Sequence, residues 1–155
     1  MILLFIVYNS TMENIQENVL EPFINLKGLL QEKVNQQSKT DFLTFVRMMA
    51  PMLVSDWRMG RHIEVISDKL KELEEGKIKR LMVFLPPRSS KSVICSKLFP
   101  AWYIGRNPEH EILTVSHSDQ LSSDFGRSVR DVVNTTEFQK IFRGVALRSD
   151  VRAAG

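Results

Sequence analysis

Residues 80–96, Arg80-Leu-Met-Val-Phe-Leu-Pro-Pro-Arg-Ser-Ser-Lys-Ser-Val-Ile-Cys-Ser96, restrict the fold more than any other stretch of the chain. Leu81 to Leu85 is an unbroken apolar run of strand length. It is stopped by Arg80 on one side and by Pro86-Pro87 on the other, the pattern expected of a central parallel strand. Past the loop, Val93, Ile94, Leu98 and Phe99 have the spacing of a helix that opens at Lys91-Ser92. A strand joined to a helix through a tight loop and a Lys-Ser pair is the layout that cradles phosphates. Backbone N–H groups surround the anion, the helix start adds its positive dipole end, and lysine reaches the terminal phosphates. The Ser92 hydroxyl is then placed to ligate Mg²⁺.

The match to the G-x-x-x-x-G-K-S/T pattern is incomplete. Leu85 stands at the first glycine position and Ser90 at the second. Glycine is used there because it adopts positive φ freely and lets the backbone approach the phosphates, which serine does less readily. The same residues also describe a surface turn with a solvated Lys91.

The stretch Leu85-Pro-Pro-Arg-Ser-Ser-Lys-Ser92 resembles the PPR-x-x-K-S form of the Walker A loop in the large terminase subunits of tailed bacteriophages. Upstream, Arg61-His-Ile-Glu-Val-Ile-Ser-Asp-Lys-Leu70 and Gly76-Lys-Ile-Lys-Arg-Leu81 are similar to the segment before the loop in that family. Downstream, the similar segments are Phe99-Pro-Ala-Trp-Tyr-Ile-Gly-Arg-Asn-Pro108, Thr114-Val-Ser-His-Ser118, Asp124-Phe-Gly-Arg-Ser-Val-Arg130 and Arg152-Ala-Ala-Gly155. The resemblance implies ATP with Mg²⁺ bound at Pro87, Arg88, Ser89, Ser90, Lys91 and Ser92. Lys91 would neutralise the β and γ phosphates, Ser92 would hold the metal, and Arg88 would sense or stabilise the γ phosphate. A loop arginine that anchors a nearby carboxylate is the plainer role for Arg88. The partners implied are double-stranded DNA, a small terminase subunit and the portal protein, in the cytoplasm of a bacterial host.

Composition sets the class more loosely. With 43% hydrophobic and 25% charged residues the chain is composed like a folded domain, not a disordered one. A single cysteine, Cys95, excludes an intramolecular disulfide framework and suits packing in the helix after the loop. Residues 1–79 carry a net charge of −1 (10 Lys/Arg against 11 Asp/Glu) and residues 80–155 a net of +4 (11 against 7). That bias is weak support for contact with a polyanion, because Arg88 and Lys91 account for two of the charges and a solvated basic face for the rest.

Read in order, Met1 to Tyr8 is apolar but far shorter than the ~20 residues of a membrane span. It also lacks the basic flank of a secretory signal. Residues 1–11 fit an over-extended start ahead of Met12, or a short strand or anchor. Ile15, Val19, Phe23, Leu26, Leu30 and Val34 mark an amphipathic helix or helix pair with Pro22 at a start or kink, and residues 35–41 read as a polar linker. Phe42, Phe45, Val46, Met49 and Leu53 predict a second helix capped by Thr40 or Asp41. Ile63, Ile66, Leu70 and Leu73 predict a third that Gly76 stops. Trp57, His62 and Glu64 are adenine-contact candidates by position only, with packing and solvation the plainer roles. Pro100 should end or kink the loop helix near Phe99. Residues 112–115 predict a second strand, Ser116 to Asp119 a polar exit, and Leu121, Phe125, Val129, Val132 and Val133 a helix. A short helix at 137–142 follows, capped by Thr135 or Thr136.

The sum is an α/β chain: part of a P-loop NTPase domain of the RecA-like (ASCE) type over residues 41–155, behind a helical segment at residues 1–40. The function expected is that of the ATPase motor portion of a terminase. The alternatives are a truncated, inactive prophage remnant, or another P-loop protein such as a helicase or small kinase. No strand ending in paired carboxylates follows Val115 and no nuclease-type acidic cluster is present, so this stretch alone is expected to be inactive. His62, His110 and His117 have no metal-ligand spacing with Cys95.

Overall fold

The computed structural model of the chain describes residues 21–145 and residue 147. Met1 to Tyr8, the start at Met12 and the segment 152–155 lie outside the described residues. The chain separates into two units, residues 1–35 and 36–155. All regular structure among the described residues is helical: α1 (Glu21–Thr40), α2 (Phe42–Leu53), α3 (Arg61–Glu74), a π-helical segment (Val93–Leu98), α4 (Phe99–Arg106), α5 (Asp119–Val133) and α6 (Thr136–Ile141). No helix among them is long and apolar enough to cross a membrane.

In the first unit, α1 begins at Glu21 with Pro22 in its opening turn, where a missing N–H costs nothing. Leu26, Leu29, Leu30 and Val34 are exposed. Gln31 donates to the Asn35 carboxamide oxygen at 3.1 Å, one turn on.

The second unit is organised by aromatic packing. Asp41 caps α2, its carboxylate accepting from the Thr44 N–H at 2.9 Å. The inward face of α2 buries Phe42, Phe45, Val46, Met49 and Ala50. Phe42 lies 5.2 Å from Trp102 and 5.4 Å edge-on from Phe99, while Phe45 meets Phe138 and Phe142 at 6.3 and 6.1 Å. Ile63, Ile66 and Leu70 of α3 join the same core, as do Ile94, Leu98, Val132, Val133 and Ile141. Gly76 ends α3 at φ 71, with its own N–H on Leu73 O and the Lys77 N–H on Glu72 O, a Schellman closure. Ser118 caps α5 and Thr135 caps α6.

The predicted polar linker at 35–41 is not one: α1 continues to Thr40 and only Asp41 leaves the helix. A run without Gly or Pro does not break a helix by polarity alone. Ser38 is fully buried, and its carbonyl accepts the Trp102 indole N–H at 2.8 Å. Arg106 adds to this join. Its guanidinium sits 5.0 Å over the Trp102 ring, donates to Lys39 O at 2.8 Å and pairs with the nearly buried Glu74 carboxylate at 2.9 Å.

The α/β expectation, with its RecA-like sheet, is overturned: among the described residues there is no strand and no sheet. Residues 81–85 and 112–115, the two predicted strands, have no ladder between them. Instead Leu81, Val83 and residues 112–115 line one open cavity of about 600 Å³, together with Leu70, Leu73, Phe99 and Tyr103. A strand exists only by pairing, and neither segment exchanges backbone hydrogen bonds with the other. The expected burial fails for the same reason. Met82 and Phe84 are 78% and 81% exposed, and Leu113 and Val115 are 89% and 81% exposed. The core is supplied by helix on helix.

Candidate functional site

The loop at residues 86–92 is built by backbone conformation. Arg88 and Ser90 both have left-handed backbone, at φ 63 and 60, and the intervening Ser89 does not. Each such non-glycine residue costs about 1–2 kcal/mol, so two within three positions mark a constrained loop. Left-handed residues in a tight turn are one ingredient of the concave backbone nests that bind anions. Ser89 steadies the turn by donating its hydroxyl to Pro86 O at 2.7 Å.

The helix follows without a break. The Ser90 carbonyl accepts the Ile94 N–H at 3.1 Å, so Lys91, Ser92 and Val93 contribute the first-turn N–H groups that an α-helix leaves without intrahelical partners. Here the positive end of the dipole and the loop N–H groups coincide. Val93–Leu98 is then π-helical, with the Phe99 N–H bonded to Ile94 O, before α4 resumes the α pattern. Pro100 in the first turn of α4 lacks the N–H that would otherwise bond Ser96 O, and the wider i to i+5 turn lies immediately ahead of it. The sequence placed an end or kink of the loop helix near Phe99, and the π segment does stop at Leu98 and α4 begin at Phe99. The boundary takes the form of a change of helix type, with Pro100 in the first turn of α4.

The sequence candidates therefore come together along one short path. Pro87 and Arg88 are exposed at the turn, Ser89 and Ser90 are half-buried, Lys91 is half-buried in the first helical turn, and Ser92 is exposed beside it. Lys91 and Arg88 make no ion pair among the described residues, so Arg88 does not anchor a carboxylate there. The adenine candidates are not assembled as a set. Glu64 pairs with Arg47 at 3.2 Å, Trp57 packs against the core, and the His62 ring lies over Gly60, where a Cβ would meet it at 2.8 Å.

Burial raises the Cys95 thiol pKa, and the charge of Lys91, one turn earlier, offsets this in part. Sequence reasoning missed three features: the left-handed Arg88, the π turn, and the hydrogen-bonded pair of Tyr103 Oη and His110 Nδ1 at 2.9 Å. Pro100 was the one signal for the second. Among the described residues no three His, Cys, Asp or Glu side chains gather as a metal-ligand group. Compared with protein-family models, with curated proteins and with solved structures, the chain shows no match.

Proposed function

We propose that residues 86–92 bind the phosphates of ATP with Mg²⁺, and that the chain serves as the ATPase portion of a phage DNA-packaging terminase large subunit. The phosphate-binding part rests on one observation above others: Arg88 and Ser90 hold left-handed backbone immediately before the Lys91 helical turn. Ser90 takes the positive φ for which the second glycine is used in such loops, so the loss of that glycine does not remove the bend before Lys91. The terminase part rests on the sequence resemblance alone, and double-stranded DNA, a small terminase subunit and a portal protein follow from that resemblance.

In this reading the N–H groups of residues 91–93 and the Lys91 ammonium hold the β and γ phosphates. The Ser92 hydroxyl offers an oxygen to the metal, and Arg88, exposed at the turn, approaches the γ phosphate. Mg²⁺ supplies charge neutralisation between the phosphate oxygens. Backbone amide NMR of the full chain tests this. Adding ATP with Mg²⁺ is expected to shift the amides of residues 88–93 first. Saturating shifts confined to other parts of the chain would remove the loop from the site.

A further inference from the structure

Residues 81–85 carry a feature that the phosphate loop does not use. Burial alternates along them, with Leu81, Val83 and Leu85 half-buried and Met82 and Phe84 exposed, the period-two signature of an extended backbone. Their N–H and C=O groups make no hydrogen bond among the described residues. An extended segment with unpaired backbone and exposed apolar side chains is a template for another strand.

Alongside it runs a cleft of about 440 Å³, formed by residues 81–85 against Val65, Ile66 and the polar edge of α3. Its floor is apolar, and among the described residues the charged ones that line it are Arg61 and Lys69, with His62 beside them and no carboxylate. Lys69 is held by Glu72 at 2.7 Å, whereas Arg61 has no ion pair among the described residues.

We propose that this cleft docks an extended, acidic-ended polypeptide segment of a partner protein, added as a strand against residues 81–85. Three properties select that occupant. A helix or a lipid chain would cover Met82 and Phe84 but leave the backbone of residues 81–85 unsatisfied, and only another extended backbone matches its repeat of donors and acceptors. The apolar floor calls for apolar side chains on the incoming strand. The cationic rim, with Arg61 unneutralised, calls for a carboxylate at one end. The inference stands apart from nucleotide binding, since no residue of the loop at 86–92 lines the cleft.

The probe is a fluorescein-labelled peptide, Glu-Val-Thr-Val-Thr-Val-Glu with blocked ends, titrated by anisotropy against the full chain. Saturable binding is expected. Methylating alternate peptide nitrogens should weaken it roughly tenfold or more, because each methyl removes a backbone donor. Replacing both Glu residues by Lys should weaken it about fivefold, and Arg61→Glu should reverse that preference. Arg61 is exposed in the first turn of α3, where an acidic side chain suits the helix dipole, so the variant keeps its fold. Equal binding of the methylated peptide would show simple apolar adhesion and overturn the proposal. So would indifference to charge, absence of saturable binding, or self-association of the chain that excludes the peptide.

Discussion

The Ser90 carbonyl accepts the Ile94 N–H at 3.1 Å while Ser90 itself sits at φ 60, so one serine both starts the helix and bends the loop into it. Relieving that backbone should be measurable. Ser90→Gly removes about 1–2 kcal/mol of left-handed cost and gives back about 0.5–1 kcal/mol as unfolded-chain entropy. The expected net is a gain of roughly 0.5–1 kcal/mol in urea unfolding, with nucleotide binding kept or tightened. Ser89→Gly is the control. It relieves nothing and deletes the 2.7 Å bond to Pro86 O, so it should destabilise. A loss of stability for Ser90→Gly equal to that control would contradict the geometry.

The joint between Ser38 and Trp102 predicts a larger effect. Trp102→Phe keeps an aromatic ring beside Phe42 but strands the buried Ser38 carbonyl, which costs about 1–3 kcal/mol. It also weakens the support under Arg106. Denaturant melts that show less than ~0.5 kcal/mol of loss would mean the indole bond contributes little.

How far the sequence could be read follows from what each element needs. Helices α2, α3, α5 and α6 were legible because a helix closes its own hydrogen bonds and shows its buried face as a 3.6-residue spacing: Phe42, Phe45, Val46 and Met49, or Ile63, Ile66 and Leu70. Caps at Asp41 and Thr135 and the stop at Gly76 are local chemistry too. Whether the two apolar runs would pair as strands was not legible in this sense. An apolar run such as residues 81–85 states only that it would suit a strand, and pairing depends on a neighbour at the right distance. Here residues 112–115, Leu81 and Val83 line a cavity without pairing, and Met82 and Phe84 remain exposed. At the site, the order of residues and the helix start at Lys91 could be foreseen. The left-handed Arg88 could not, because arginine carries no local signal for positive φ.

Cys95 offers a check on the environment behind the loop. Burial holds its thiol pKa above the ordinary value, so near pH 8 its thiolate fraction is below that of a free cysteine and alkylation by iodoacetamide should be slow. Because Lys91 lowers that pKa, Lys91→Ala should slow alkylation further, and urea should restore the rate of a free thiol in both. Faster alkylation in Lys91→Ala would place the ammonium away from Cys95.

Turnover by residues 1–155 alone is expected to be negligible even where ATP binds. In the proposed site Arg88, Lys91 and Ser92 would hold phosphate and metal, none of them can position the attacking water, and no carboxylate pairs with Arg88 or Lys91 among the described residues. Without a group that positions water, about 10²–10⁴-fold in rate is lost. Phosphate release well above a no-protein control, abolished by Lys91→Ala, would mean that a carboxylate such as Glu109, Glu111 or Asp119 reaches the loop.

The most direct measurement is the affinity of ATP with Mg²⁺ for the full chain and for Lys91→Ala, by calorimetry with far-UV circular dichroism on the same samples. Lys91 is half-buried in the loop helix without an ion pair among the described residues, so its loss should leave the helical spectrum unchanged. A charged hydrogen bond to phosphate is worth about 1.5–3 kcal/mol, so binding should weaken roughly tenfold to a hundredfold. Equal affinity in a folded Lys91→Ala chain would contradict a phosphate-binding loop at residues 86–92.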